Sequence, residues 1–159
     1  IEKEKAVEVE KKAIQDVIAG MAPMAGAQDF LDDLRCRYQL IILSDTFYDF
    51  ADPMMRQLGR PTLFCHRRET DAEGYVINYV LRQPDQKRNA VNALKALNFQ
   101  VMAAGDSYND TGMLMAADAG FFIHPPASIV EQFPQFPVNH SYAELRANLD
   151  AASKRLAAP

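Results

Sequence analysis

Tyr38 to Leu43, residues 100–104 and residues 119–123 are short, nearly continuous apolar runs separated by segments with helical spacing. A strand that faces solvent on one side alternates apolar and polar residues; one covered on both faces does not. The runs therefore predict strands of a parallel sheet with helices packed on it. Between them, residues 25–37 carry Ala27, Phe30, Leu31 and Leu34, and residues 86–97 carry Ala90, Val91, Leu94 and Leu97, each on one face of a helix. Further helices are predicted at about 47–58, 109–117 and Tyr142 to Leu156. Residues 61–66 read as a strand, and Tyr75 to Leu81 as a second one, antiparallel at the sheet edge or in a small hairpin after the turn-like Asp71-Ala72-Glu73-Gly74. The pattern is that of a doubly wound, Rossmann-like α/β domain.

The amino-terminal end differs. Residues 1–19 contain no Gly or Pro, and the first twelve hold four Glu and four Lys. Ala6, Val9, Ala13, Ile14, Val17 and Ile18 fall at helical spacing, so a solvated helix with one packed side is expected before Gly20 and Pro23. The reading divides the chain into a charged helix at 1–23 and an α/β core at 24–159. The blocky composition and the start at Ile1 suggest a truncated or engineered end.

At 159 residues and 48% apolar content the chain can bury a real core. Net charge of −4 gives no broad positive balance for nucleic-acid binding. The apolar runs are far too short to span a membrane, and no signal-peptide core opens the chain, so a cytoplasmic location is expected. Cys36 and Cys65 have no C-x-x-C spacing and read as two buried thiols rather than a disulfide or zinc site. His66, His124 and His140 lack metal-ligand spacing and read as loop or core residues. Phe121, Phe122, Phe133 and Phe136 read as packing.

Chemistry concentrates where strands end. In an open α/β sheet the carboxyl ends of the strands face the ligand crevice. Ser44-Asp45-Thr46 follows the 38–43 run and precedes a helix, so a hydroxyl and oriented amides could cradle a phosphoryl group. Taken alone, Ser44 or Asp45 reads first as a helix cap. Lys87 stands near the start of the 86–97 helix, where the macrodipole disfavours a cation. Reaching a phosphate would explain the placement, with a solvated charge as the plain reading and Arg88 as the competing candidate. Gly105-Asp106-Ser107-Tyr108-Asn109-Asp110 follows a buried strand. Asp106 at the strand tip can bind Mg²⁺ directly, Asp110 can order its water shell, and Asn109 can contact a substrate oxygen. The alternative is an Asp/Asn-rich turn.

Together, Leu43-Ser44-Asp45-Thr46, Lys87 and Gly105 to Asp110 resemble motifs two, three and four of the haloacid dehalogenase-like phosphatases. Ile42 to Tyr48, Met55 to Gly59, Ala104 to Asp110 and Gln132 to Pro137 carry a narrower similarity to the phosphoserine phosphatase and phosphoserine:homoserine phosphotransferase branch. The resemblance implies Mg²⁺-dependent phosphoryl transfer in serine biosynthesis, on phosphoserine or a similar small phosphate ester. Ser44 and the Asp45 amide would hold phosphoryl oxygens, with Thr46 beside them. Lys87 would neutralise developing charge, Asp106 and Asp110 would serve the metal, and Asn109 would contact substrate.

The family begins with a strand ending in Asp-x-Asp, whose first aspartate is the nucleophile. This sequence contains no Asp-x-Asp, since Asp32-Asp33 is adjacent and lies in an expected helix. Most of the cap that would recognise the amino acid is also missing. The family's first strand lies between those of 38–43 and 100–104, and omitting it would leave them about two strand spacings, roughly 9–10 Å, apart. The expectation is a carboxyl-terminal part, inactive alone, with the strand supplied by a complementary chain or a homodimer partner. Two alternatives stand beside it: a non-catalytic scaffold or split-protein half that binds such a segment, and a phosphatase for another small phosphate monoester.

Overall fold

Strands form where the apolar runs predict them, and the polar residues between them set where they end. The computed structural model describes residues 15–73 and 76–158. The expected charged helix over residues 1–12 lies outside the described residues; residues 15–20 are helical. The chain divides into two compact units, residues 1–82 and 83–159.

In the first unit, helix α1 (Ala27–Arg35) is followed by strand β1 (Ile41–Phe47), helix α2 (Tyr48–Gln57), strand β2 (Thr62–Thr70) and strand β3 (Val76–Val80). β1 pairs parallel with β2, and β2 pairs antiparallel with β3, which is the hairpin predicted from the alternation. Helix α2 stops in a Schellman turn: Gly59 takes φ 71°, its N–H reaches the Arg56 carbonyl, and the Arg60 N–H reaches Met55. Leu34, Ala51, Leu58 and Cys65 are buried in this unit.

The second unit runs through α3 (Gln86–Ala96), β4 (Met102–Gly105), a 3-10 turn (Tyr108–Asp110), α4 (Thr111–Ala116), β5 (Ala119–Ile123), α5 (Ala127–Gln132), β6 (Val138–Asn139) and α6 (Tyr142–Leu156). Its strands form a parallel sheet in the order β4-β5-β6. Val91, Leu114 and Phe122 are almost completely buried. The predicted aromatic packing is present, with Phe122 edge-on to Phe136 at 5.4 Å between centroids. A side chain at Gly120 would meet the Leu114 carbonyl at 2.7 Å, so glycine lets α4 lie close on β5. Helix α6 starts at Ser141, whose Oγ accepts the Glu144 N–H, while the Glu144 carboxylate accepts the His140 N–H.

Two expectations need correction. Ser44-Asp45-Thr46 does not cap a helix. It continues β1, and the N-cap of α2 is Phe47, with no side-chain cap. A bulge lets these polar residues stay in the strand, as described below. Of the two thiols expected to be buried, Cys65 is, but Cys36 is exposed; both are free. Cys36 follows the last turn of α1 and bonds the Asp32 carbonyl there. Burial pushes the Cys65 thiol up to about 11, against a smaller opposing pull from Arg82.

Within their own sheets β1 and β4 are both edge strands: among the described residues each is paired on one side only. No helix among the described residues is long and apolar enough to cross a membrane.

Candidate active site

Asp110 organises the motif at the carboxyl end of β4. Its Oδ2 accepts the N–H of Asp106, the N–H of Ser107 and the Ser107 hydroxyl, each at 3.0 Å. Its Oδ1 accepts Lys87 Nζ at 2.8 Å. Side-chain exposure is only 12% for Lys87 and 7% for Asp110, so this is a buried ion pair. Such a pair costs desolvation and persists when the remaining lone pairs are filled, as they are here. Burial pushes the Asp110 carboxyl up, but the hydrogen bonds from Lys87 and Ser107 outweigh it, and the group is held below the ordinary carboxylate range.

The glycine of the motif follows from this geometry. A Cβ at Gly105 would lie 2.4 Å from Asp110 Cβ and 2.6 Å from its Cγ, so only glycine lets the carboxylate fold back under the strand tip. Ser107 and Asp110 form a reciprocal capping box around the 3-10 turn. Asp106 and Asn109 are left exposed on the same turn. The helix start that disfavours Lys87 is explained by Asp110 rather than by solvent. Arg88, the competing candidate, pairs instead with Asp85 at 3.1 Å on the surface.

The Ser44–Thr46 segment lies in the first unit and is built differently. Leu43 pairs with Phe64, and the next pairing is Phe47 with His66. Ser44, Asp45 and Thr46 therefore stand opposite Cys65 alone, and the strand bulges. Within the bulge the Thr46 N–H donates to Ser44 Oγ at 3.3 Å. Below it, Tyr48 donates its hydroxyl hydrogen to the Leu63 carbonyl at 2.8 Å, and Arg82 Nε donates to the Cys65 carbonyl at 3.1 Å. His66 is buried, and its Nδ1 accepts the Arg82 N–H at 3.1 Å. Its Nε2 faces Asp45 Oδ1 at 3.8 Å.

The structure thus brings Lys87, Asp106, Asn109 and Asp110 together around one turn and places Ser44, Asp45 and Thr46 on the other unit. No three His, Cys, Asp or Glu side chains cluster as a metal cage among the described residues. Mg²⁺ does not require one. It keeps several waters and takes one or two carboxylates together with phosphate oxygens, so the exposed Asp106 carboxylate and the Asp110-braced turn fit a Mg²⁺ site of that kind. Sequence reasoning missed the part Ser107 plays in the turn, which the Ser-x-x-Asp capping-box spacing of Ser107 and Asp110 could have signalled; His66, read as a loop or core residue, is buried.

The haloacid dehalogenase-like hydrolase family matches residues 1–120. Phosphoserine phosphatase ThrH of Pseudomonas aeruginosa is 53% identical over 142 residues, covering 89% of this chain and 69% of that protein. Phosphoserine phosphatase of Pseudomonas syringae pv. tomato is also 53% identical over 142 residues, covering 89% of this chain and 60% of its own length. Among solved structures, a substrate-bound phosphoserine phosphatase aligns with a TM-score of 0.67 at 16% identity, over 91% of this chain and 76% of that one. A phosphoserine phosphohydrolase-like protein from Francisella tularensis aligns with a TM-score of 0.67 at 21% identity, over 86% and 69%. At such identities the structures speak for the fold alone. The family match and the curated relatives carry the assignment: this chain belongs to the haloacid dehalogenase-like hydrolases.

Proposed function

We propose that this chain carries the phosphate- and metal-binding part of a Mg²⁺-dependent phosphoserine phosphatase-type enzyme, working in the cytoplasm in serine biosynthesis. One observation supports it above the others: Asp110 receives four donors inside the fold, and the turn so fixed leaves Asp106 exposed at a strand tip. Asp106 would hold Mg²⁺ directly, and Asp110 would act through the turn and the metal's water shell. The metal would supply positive charge to a phosphoryl group. Ser44 Oγ and the Asp45 amide would hold phosphoryl oxygens, with Thr46 beside them, and Asn109 would contact the substrate. Lys87 anchors the turn through Asp110 and would bring its positive charge to the phosphate.

Turnover would require an aspartate pair from outside these 159 residues, on the same polypeptide or another. Among the described residues β1 and β4 each end their own sheet with one side unpaired, and an open edge of that kind is one a complementary segment or a second copy could fill. Phosphoserine hydrolysis in Mg²⁺, measured with and without a peptide bearing an Asp-x-Asp strand, tests this. The expected result is no turnover alone and turnover with the peptide, abolished by Asp106→Asn. Hydrolysis by the chain alone would contradict the need for the segment. Tight peptide binding without hydrolysis would favour the scaffold reading, and preference for another phosphate monoester would move the substrate.

A further inference from the structure

The β2–β3 hairpin turns apolar side chains to solvent. A strand half in water buries its apolar row and exposes its polar one. On β3 both faces carry apolar residues. Alternation places Ile77, Tyr79 and, just past the strand, Leu81 on one face, and they are 65%, 64% and 62% exposed. On the other face Val76 and Val80 are half-buried, and Asn78 donates to Glu69 Oε2 across the hairpin at 3.2 Å. The exposed row is held in place. The Tyr79 ring lies 5.4 Å from that of Phe47 at the end of β1. Arg68, opposite Tyr79 in the ladder, has its side chain only 5% exposed; it pairs with Asp49 and stands 4.2 Å over the Phe50 ring. Its charge is met within the unit, and no charged residue occurs from Val76 to Leu81.

We infer that a second copy of this chain covers this face in a two-fold contact, with Tyr79 against the partner's Tyr79 at the axis and Ile77 against the partner's Leu81 on either side. A different protein is selected by charged and polar features, and this row offers none. A two-fold contact needs only a surface that complements itself, and it uses each apolar contact twice without setting like charges face to face. The area fits as well. Three side chains at about two-thirds exposure leave about 400 Å² per copy, so two copies bury about 800 Å² before flanking residues are counted, near the lower bound of a specific interface. That is too little for an obligate dimer and enough for a weak one, half-formed at about 10–100 μM. The contact uses neither the open edge of β1 nor that of β4, and it stands independently of the phosphoryl chemistry.

Sedimentation equilibrium of the full chain, across and beyond that concentration range, tests the contact. The wild type should pass from monomer toward twice the monomer mass. Ile77→Lys and Leu81→Glu, both at exposed positions, should each weaken association at least about tenfold, because each buries an unpaired charge twice. Mixed in equal amounts the two variants should regain it: ammonium then faces carboxylate at one end, and the native Ile77 and Leu81 meet at the other. In the wild type, ¹H–¹⁵N shifts that depend on protein concentration should centre on residues 76–81, a readout that requires no variant to fold. A wild type that stays monomeric leaves the face to a different partner and overturns the inference. So does a dimer that neither substitution weakens, a mixture that does not recover, or concentration-dependent shifts confined to other segments.

Discussion

At the Gly105–Asp110 turn one buried carboxylate collects four donors, three of them from the two residues that follow Gly105. In the Ser44–Thr46 bulge the Thr46 N–H donates to Ser44 Oγ, and β2, Tyr48 and Arg82 brace the segment around it. The first loop carries its own framework and fixes a charge at its centre. The second takes its shape from a pairing irregularity between two strands. A loop of the first kind is rigid because breaking it strands a buried charge, whereas one of the second kind can adjust at little cost. A metal ligand benefits from the first property, and an anion cradle can tolerate the second.

The sharpest way to break this contrast is to remove one member of the buried pair. Lys87→Met should destabilise the chain by about 3–5 kcal/mol, because Asp110 would remain buried without its cation. Gly105→Ala should cost about 1–3 kcal/mol, or more if β4 cannot shift, through the collision with Asp110. Ser44→Ala should cost less, on the order of 1 kcal/mol for the Thr46 hydrogen bond it loses. Denaturant midpoints of the three variants give the order. An equal effect of Lys87→Met and Ser44→Ala would erase the distinction between the loops.

Acid sharpens it further. The folded-state pKa of Asp110 lies below its ordinary value of 3.8. The stability this contributes is therefore fully present above that value and is lost as pH falls through the lower, folded one. Unfolding midpoints measured from pH 5 downward should fall below about pH 4 in the wild type. In Lys87→Met, which lacks a main cause of the depression, the fall should be shallower. Identical slopes would place the acid sensitivity elsewhere, with Asp118, also held low by its hydrogen bond from Lys95, as the first alternative.

Much of this arrangement was legible in the residues. Uninterrupted apolar runs marked β4 and β5, and helical spacing marked α3 and α6, because burial on both faces or on one stripe leaves a direct trace in residue type. The end of β1 was not legible. Ser44-Asp45-Thr46 is polar and resembles a cap, and only the pairing of Phe47 with His66 shows that the strand continues through a bulge. Helix α5 and strand β6 hid in a proline-rich tail. β6 contains Asn139, which is fully buried and donates to the Phe122 carbonyl at 2.8 Å, so a polar residue serves as core there. Lys87 and Asp110 were each visible as candidates, but their pairing was not, since 23 positions separate them and neither local pattern points to the other.

The central claim is that the Asp110-braced turn presents Asp106 to Mg²⁺. It is tested most directly by titrating Mg²⁺, in the presence of inorganic phosphate, into the wild type and Asp106→Asn while following the amides of Asp106, Ser107, Tyr108 and Asn109. Saturable shifts are expected at this turn in the wild type, and their loss in Asp106→Asn with the fold intact. Unchanged shifts in the variant, or no response at the turn in the wild type, would contradict it.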